Sequence, residues 1–190
     1  MRHKDEHKQK AIIDATVKLV NETGFAAASV AKIAREAGVS PATLYVYYKN
    51  KEDLLVSTYV EIKRKFGVAV TREYDPTLPI RDKLARFWRN AFVAIQEEQA
   101  LFQFSEQFAR TPYADLVPPE VMEEYFGPIF DTLREGIRQK IIKDLPIEIL
   151  SVFMFQPVMQ LANPKICAAF GKEPGNVDLA FTLAWDAIKL

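Results

Sequence analysis

The chain has 190 residues, of which 49% are apolar and 26% are charged, a composition typical of an ordinary globular protein rather than a disordered or fibrous one. A single cysteine, Cys167, excludes an internal disulfide framework and a thiolate metal cluster. The polar start "MRHKDEHKQK" is unlike a secretory signal, and the most apolar segment, 147–162, is interrupted by Glu148 and Pro157 and is short for a membrane span. We therefore expect a cytoplasmic protein.

The formal net charge is zero, but the charges are unevenly distributed. Up to Lys65 the basic residues exceed the acidic ones by four, and in the remainder the acidic residues exceed the basic ones by four. The first part of the chain can therefore meet a polyanion. A few excess lysines also suit a solvated surface, so charge alone decides little.

The first two predicted elements are helices. Apolar spacing of three and four residues begins near Lys4, and Gly24 stands where a glycine typically follows a helix end, so the first helix is expected over 4–23. Ser29 is a favourable N-cap for a second, short helix, which Gly38 ends.

Two further helices follow at once. Ser40 is an N-cap and Pro41 suits the first helical position, which predicts a third short helix to about Tyr48. Asn50 caps a fourth helix that continues to about Arg72. Two short helices joined by a tight glycine-containing turn and preceded by a longer helix form a helix-turn-helix pattern.

The third helix has two different faces. Leu44 and Tyr48 lie one turn apart and are expected to face the supporting helices. The side chains expected to point away are small or β-branched with phenols at their edges, namely Ala42, Thr43, Val46, Tyr45 and Tyr47. In helix-turn-helix proteins such a face enters the major groove of DNA. The alternative, that the tyrosines are partly core, is favoured here for Tyr48.

Candidate phosphate anchors surround this face. Two serines lie at helix N-termini, lysines flank the start of the fourth helix, and phenols can donate hydrogen bonds to phosphate oxygens. The sequence therefore predicts a DNA-binding surface made of Ser29, Lys32, Ser40, Pro41, Ala42, Thr43, Tyr45, Val46, Tyr47, Lys49 and Lys51.

The stretch "GFAAASVAKIAREAGVSPATLYVYYKNKEDLL" resembles the N-terminal DNA-binding domain of the TetR family of bacterial transcriptional regulators. The shared pattern is a glycine and an aromatic residue, a Ser/Thr-led helix, "IA..AGVS", and then "TLY.(H/Y)(F/Y)..KE.LL", and the similarity covers about 12–55. It implies an all-helical homodimer with a C-terminal ligand-binding and dimerisation domain, and usually repression relieved by a small molecule.

The resemblance also implies site residues. The positions that commonly contact DNA in the family are here Ser29, Thr43, Tyr45, Tyr47 and Lys51. Ala31 departs from the pattern, because it stands where some relatives place a base-reading arginine.

Base preference follows from the side chains of the third helix. Arginine, asparagine and glutamine make the strong bidentate base contacts, and none lies between Ser40 and Lys49. Ala42, Val46 and the methyl group of Thr43 are suited to thymine methyl groups. We therefore expect an operator that is rich in A·T pairs, and palindromic because a dimer reads it.

The segment "EYDPTLPI" is expected to end the fourth helix and to link two parts of the chain. Beyond it we predict helices over 80–98, 100–110, 119–143, 146–163 and 176–190. The chain is thus predicted to be all-α with about nine helices. The expected domains are a helix-turn-helix domain over 1–50, a connecting helix over 51–75, and a ligand-binding and dimerisation domain over 76–190.

The C-terminal part is rich in aromatic residues, since eleven of the thirteen phenylalanines and both tryptophans follow Pro79. Gln156 and Gln160 lie one turn apart in the very apolar "ILSVFMFQPVMQLA" and need hydrogen-bond partners if buried. An apolar cavity with a few polar groups is typical of a small-molecule site. The predicted pocket for a small hydrophobic effector is lined by Trp88, Phe92, Phe104, Phe108, Tyr125, Phe130, Phe153, Gln156 and Gln160. The aromatic residues also suit a plain core, and the glutamines could instead face a partner chain.

The last helix carries an apolar stripe at four-residue spacing, formed by Val177, Phe181, Ala184 and Ile188. Together with the apolar helix before it, this stripe predicts a four-helix homodimer interface. Burial inside one protomer is the alternative.

Nothing in the sequence indicates catalysis. His3 and His7 have no evident third metal ligand, Cys167 has no histidine in its half of the chain, and no glycine-rich loop occurs among seven glycines. We expect a ligand-responsive DNA-binding transcriptional regulator without a metal or cofactor, a repressor that a small hydrophobic effector releases from a palindromic operator. The alternative is a helical architectural or protein-interaction module without ligand response.

Overall fold

The structure is a computed structural model that describes residues 6–170, 173 and 175–190. The predicted start of the first helix at Lys4, like His3, lies outside the described residues. Within them the chain forms nine α-helices and one short 3-10 helix. The all-α prediction is therefore confirmed, and an isolated antiparallel bridge between Ile142 and Lys189 is the extent of the β pairing in the described part.

The first helix, α1, spans Glu6–Ala27, but its backbone is interrupted near its end. Gly24 has φ 81° and ψ 165°, a conformation that residues with a side chain rarely adopt. The sequence therefore placed the interruption at the correct residue, although helical turns resume for three residues beyond it.

Helices α2, Val30–Glu36, and α3, Pro41–Tyr47, follow the local capping signals. The Ser29 hydroxyl accepts a hydrogen bond from the backbone N–H of Lys32 at 3.3 Å. In the same way the Ser40 hydroxyl accepts from the backbone N–H of Thr43 at 3.0 Å. Each cap satisfies a donor that a helix start would otherwise leave unpaired.

Helix α4, Lys51–Val70, starts with two side-chain capping hydrogen bonds. The Asn50 side-chain oxygen accepts from the backbone N–H of Asp53 at 2.7 Å, and the Asp53 carboxylate accepts from the backbone N–H of Lys49 at 2.7 Å. The predicted role of Asn50 is confirmed. The arrangement resembles a capping box, except that the Asp53 carboxylate accepts from the residue before the N-cap.

The remaining elements are α5 (Ile80–Glu97), α6 (Gln99–Phe108), the 3-10 helix (Pro112–Leu116), α7 (Val121–Arg138), α8 (Ile147–Leu161) and α9 (Asn176–Ile188). Apart from the break at Glu98 between α5 and α6, their breaks lie at or beside prolines or glycines of the sequence. No helix in the described part is both long and apolar enough to span a lipid bilayer.

The chain divides into two compact units that do not follow the predicted domain boundaries. One unit contains the described part of Met1–Ile62 together with Ala100–Pro118, and the other contains Lys63–Gln99 together with Pro119–Leu190. Helix α6 and the 3-10 helix therefore group with the N-terminal helices. Helix α4 has residues in both units.

The first unit has an aromatic cluster at its core. The Phe25 ring lies with its centroid 5.4 Å from that of Phe104 and 6.0 Å from that of Phe108. Tyr59 of α4 stacks on Phe108 at 4.4 Å. These contacts explain why α6 belongs to the first unit, since its aromatic side chains cover the end of α1 and one side of α4.

The second unit is built around α5, which packs against α7, α8 and α9. Trp88 is fully buried and meets Phe181 of α9 edge-to-face at 5.9 Å, and Phe92 meets Phe170 at 6.0 Å. Helix α8 packs along α9. The inner faces of these helices are thereby filled by side chains of the same unit.

Candidate nucleic-acid interface

Helix α3 is anchored by two side chains on its inner face. Leu44 is completely buried and Tyr48 is 3% exposed, which confirms that both face the supporting helices. Burial raises the pKa of Tyr48 to about 12, because the phenolate would be poorly solvated there. Tyr48 is thus a neutral core residue, and its anchoring sets which side of α3 faces solvent.

The opposite side of α3 is open to solvent. Tyr45 is 54% exposed and Val46 is 61% exposed, values that are unusually high for large apolar side chains. Ala42 is also exposed, whereas Thr43 and Tyr47 are half-buried. The face expected to meet DNA is therefore accessible along its whole length.

The hydroxyl groups at the start of α3 are held in a small network. Ser40 and Thr43 share a hydroxyl–hydroxyl hydrogen bond of 2.9 Å, in addition to the cap between Ser40 and the Thr43 amide. The network fixes the side chains at the N-terminal end of α3, where base edges are nearest in helix-turn-helix complexes. Pro41, in the first turn, is exposed beside them.

The three predicted lysines have different surroundings. Lys49 and Lys32 are exposed, and the Lys32 ammonium donates to the Ala27 carbonyl at 3.1 Å. Lys51 is half-buried and donates to the Phe25 carbonyl at 2.6 Å. Lys32 and Lys51 therefore both donate to a backbone carbonyl near the end of α1, and Lys51 is the more buried of the two.

The structure brings the predicted set together on the helix-turn-helix elements, with eight of its members exposed. These are Ser29, Lys32, Ser40, Pro41, Ala42, Tyr45, Val46 and Lys49, while Thr43, Tyr47 and Lys51 are half-buried. Arg35 was missed by the sequence reasoning. It is exposed three residues after Lys32, on the same side of α2, and this helical spacing is the signal that could have found it.

The predicted ligand residues do not form one group. Trp88 and Phe92 are buried in the second unit, and Phe104 and Phe108 are buried in the first. Tyr125 and Phe130 are half-buried on α7. Four of the predicted pocket residues are thus core residues with aromatic neighbours.

Three predicted pocket residues lie on the outside of α8, which corrects their expected position. Phe153 is 56% exposed, and Gln156 and Gln160 are exposed as well. Because the side-chain amides of Gln156 and Gln160 are in contact with water, they need no hydrogen-bond partner within the protein. The inner face of α8 is instead formed by Leu150, Met154 and Val158, none more than 1% exposed.

The second unit contains a cleft of about 530 Å³ at another place. It lies between the segment that links α4 to α5 and one side of α7, and its lining includes Pro76, Leu78, Lys83, Asp131 and Glu135. None of the predicted pocket residues lines it. The cleft is mixed in polarity and differs from the apolar pocket expected from the sequence.

The predicted dimer stripe on α9 faces inward. Phe181, Ala184 and Ile188 are 2%, 5% and 1% exposed, and Val177 is half-buried. Phe181, Ala184 and Ile188 therefore pack inside their own unit, as the contact of Phe181 with Trp88 shows, and do not form the exposed stripe that a dimer interface needs. Leu179 and Leu183, offset by two residues or about 200° around the helix, are 64% and 68% exposed.

Exposed apolar side chains occur on α8 as well as on α9, and the two helices pack against each other. We call them the outer apolar face, which consists of Ile149, Val152 and Phe153 of α8 and Leu179 and Leu183 of α9. All five are at least 44% exposed. Large apolar side chains grouped on two adjacent helices are typical of a surface that another protein covers.

The fold and the open face of α3 define a helix-turn-helix DNA-binding protein. Comparison with known protein families supports this class of protein. Residues 12–58 match the family described as bacterial regulatory proteins, tetR family, and residues 79–189 match the tetracyclin repressor-like, C-terminal domain.

Relatives with known names cover most of the chain. The fatty acid metabolism regulator protein of Bacillus subtilis is 30% identical over 139 residues, which is 72% of either chain. A crystal structure of a TetR family transcription regulator from Marinobacter aquaeolei is 33% identical, with a TM-score of 0.87 over 100% of this chain and 99% of that one. The transcriptional regulator FadR from Bacillus subtilis, solved in complex with stearoyl-CoA, is 24% identical with a TM-score of 0.73, over 92% of this chain and 95% of that one, and supports the fold.

The chain belongs to the TetR family of bacterial regulatory proteins. It is accordingly a DNA-binding transcriptional regulator and not an enzyme.

Proposed function

We propose that the outer face of α3 reads the major groove of a palindromic operator and that a small hydrophobic effector releases the protein from it. The proposal that α3 reads DNA rests on one observation. Leu44 and Tyr48 are buried, whereas Ala42, Tyr45 and Val46 on the same short helix stand open to solvent. This exposed face does not contribute to the protein core, and its shape allows close approach to base edges.

The chemistry of this face favours A·T pairs. Its contacts to bases would come from Ala42, Val46 and the Thr43 methyl group, which are apolar partners for the thymine methyl. Ala31 of α2 is exposed but has no hydrogen-bonding group. Lys32, Lys49 and the phenol groups then supply phosphate contacts, which give affinity and orientation without sequence information.

A second copy of the chain is the proposed occupant of the outer apolar face. A two-fold axis would place α8 and α9 against the same helices of the partner and form a four-helix interface. The same axis presents two α3 helices to DNA, so that an inverted repeat is the matching operator. The dimerisation helices of the sequence analysis are retained in this proposal, with the opposite side of α9 as the contact.

The effector is proposed to have a long apolar chain, as in fatty acids and their thioesters. Support comes from the named relative, a fatty acid metabolism regulator, and from the match of residues 79–189 to a repressor-type C-terminal domain. Helix α4 has residues in both compact units. We infer that effector binding displaces α4 and alters the separation of the two reading heads, which must match sites about 34 Å or a multiple apart.

Selection from a random DNA library with the full chain tests the DNA-reading proposal. The expected product is a short inverted repeat with A·T-rich half-sites, bound with an affinity that falls steeply as salt rises. Half-sites rich in G·C would contradict the base preference. Binding without any enriched sequence would favour the architectural module instead.

Operator release tests the effector proposal, with stearoyl-CoA, stearate and free coenzyme A as probes. Release by stearoyl-CoA or stearate, but not by free coenzyme A, is expected because the apolar chain is the shared feature. Release by coenzyme A alone, or by none of the three, would exclude an effector of this class.

A further inference from the structure

The C-terminal end of α4 is held by a side chain of α5. The amide nitrogen of Asn90 donates to the carbonyl oxygens of Val70 and Arg72, at 3.0 Å each. Val70 is the last residue of α4, where carbonyls have no donor within the helix. The half-buried Asn90 amide therefore completes the hydrogen bonding of this helix end and joins it to α5.

The residues that follow α4 stay on the same side of α5. Arg86, one turn before Asn90, donates to the Glu73 carbonyl. The Tyr74 ring stacks on Phe87 with the two centroids 5.8 Å apart. Glu73 has φ 58°, a left-handed conformation that costs free energy in a residue with a side chain. Two contacts with α5 thus hold this strained residue and the one after it.

A second helix meets α4 one turn before its end. Gly67 is buried, and a Cβ atom placed on it would lie 2.5 Å from the carbonyl oxygen of Tyr125 and 2.7 Å from the Tyr125 Cβ. The backbones of α4 and α7 are therefore in direct contact at Gly67, closer than a larger residue allows. Together with the bonds from Asn90, this contact holds α4 at two levels, which defines the direction of its axis rather than a single point.

The direction of α4 matters because this helix directly follows the helix-turn-helix. It is one continuous helix of 20 residues, about 30 Å long, and it starts in the first compact unit and ends in the second. A tilt of about 6° about its C-terminal end moves its N-terminal end by about 3 Å. Successive base pairs of DNA are about 3.4 Å apart, so a movement of this size equals one step in the spacing of two half-sites.

We infer that Asn90 is a specificity-determining residue for operator spacing, although it lies on α5 and outside the helix-turn-helix. Its two hydrogen bonds hold the direction of α4 and thereby the separation of the two reading heads. The inference rests on the proposed function, in which a dimer reads a palindromic operator. An operator with the wrong spacing can be bound only if α4 tilts, and the tilt must break the bonds from Asn90.

Operators that differ only in spacer length test this role. The selected inverted repeat is compared with versions whose spacer is one base pair longer or shorter. The parent protein is expected to prefer one spacing. Asn90→Ala is expected to lower the ratio of affinities between the preferred and the neighbouring spacings by about 3- to 10-fold, as for a lost hydrogen bond. Titration of labelled operators at one salt concentration measures the ratio.

The spacing ratio separates this role from general stability, because a less stable protein binds every spacing more weakly by the same factor. Asn163→Ala is the matched control, since Asn163 is a half-buried asparagine of the same unit whose side chain accepts from the Lys165 amide. It is expected to keep the parent ratio. Asn90→Asp removes both donors at nearly the same shape and is expected to lower the ratio at least as much as Asn90→Ala does, which guards against an effect of the cavity.

Amide hydrogen exchange in the free protein measures the hold on the helix end without DNA. The Tyr74 amide, which donates to the Thr71 carbonyl at 3.1 Å, is expected to exchange faster in Asn90→Ala. The Glu98 amide at the end of α5, which donates to the Ala94 carbonyl, is expected to keep its parent rate. This difference reports a local change at the end of α4.

An unchanged ratio of affinities in Asn90→Ala would overturn this role of Asn90, as would an equal loss in Asn163→Ala or a Tyr74 amide that stays as protected as in the parent. Failure of the proposed function has a different signature. A parent protein that selects no inverted repeat, or that binds every spacing equally, would show that no dimer reads a fixed palindrome, and the role of Asn90 would fail with it.

Discussion

Two helices of this protein, α3 and α9, each have one side packed inside the protein and one side exposed, yet they differ in how clearly the sequence distinguishes those sides. On α3 the large apolar Leu44 is buried, and the opposite side carries small residues and phenols. On α9 both sides carry large apolar residues, with Phe181 inside and Leu183 outside. A helical pattern identifies the buried side only when the other side is chemically different.

The difference agrees with what each exposed side is proposed to meet. DNA presents charged phosphates and shallow base edges, which small side chains, hydroxyl groups and lysines can contact. A second protein chain presents apolar surface, which is best covered by leucine and phenylalanine. An outer side adapted to another protein therefore resembles a core, and an outer side adapted to DNA does not.

The largest expected effect comes from breaking the outer apolar face. Leu179→Glu with Leu183→Glu is expected to convert a dimer into a monomer, because a symmetric dimer would lose four buried leucines, about 6 kcal/mol or more. Light scattering at micromolar concentration measures the change. Val68→Glu is the matched control, since Val68 is a 63% exposed apolar residue on α4. A double variant that remains dimeric would refute the proposed contact.

The inner side of α9 is expected to respond as a core. Phe181→Ala should lower the free energy of unfolding by about 3–5 kcal/mol, because it leaves a cavity beside Trp88. Urea denaturation at a fixed protein concentration measures this loss. Asp186→Ala, on the exposed side of the same helix, is expected to change stability by less than about 0.5 kcal/mol. A small effect of Phe181→Ala would mean that the two sides of α9 are assigned the wrong way round.

A charged substitution on the exposed side of α3 should affect DNA binding without affecting folding. Val46→Glu places a negative charge against phosphates and is expected to weaken operator binding by about 2 kcal/mol, or about 30-fold. Its free energy of unfolding should change by less than about 0.5 kcal/mol, because Val46 is 61% exposed. Titration of a labelled operator and urea denaturation provide the two values. A large loss of stability would show that Val46 is part of the core.

The smallest expected effect concerns the cap of α3. Ser40→Ala removes the acceptor for the Thr43 amide and should cost about 1 kcal/mol of stability. Ser40→Asp keeps an acceptor at the cap, so stability should be retained while the added charge repels DNA. Thermal unfolding together with operator titration tests both variants. If Ser40→Asp binds the operator as well as the parent does, Ser40 is remote from the phosphates.

Local signals were sufficient for the helices themselves. Ser29, Ser40 and Asn50 were expected as caps from their side chains alone, and each accepts the hydrogen bond that this role requires. Caps depend on residues within three positions, so the sequence contains all the necessary information. The inner residues of α3 followed from helical spacing for the same reason.

The C-terminal sites depended on contacts that are distant in sequence. Gln156 and Gln160 were expected either to line a pocket or to face a partner chain, and α8 turns Leu150, Met154 and Val158 inward. In a helix that is apolar nearly all round, only the shapes of its neighbours determine which side is buried. The grouping of Phe104 with Phe25 has a similar origin, since it joins residues that lie far apart along the chain.

The sequence by itself determined the all-α class, the positions of the caps and the exposed face of α3, because these follow from interactions within a few residues and from a clear contrast between polar and apolar sides. The tertiary structure alone decided which side of α9 is internal, where the aromatic residues gather, and which carbonyl Lys51 contacts. These features result from packing between helices, and several packings satisfy the same apolar pattern.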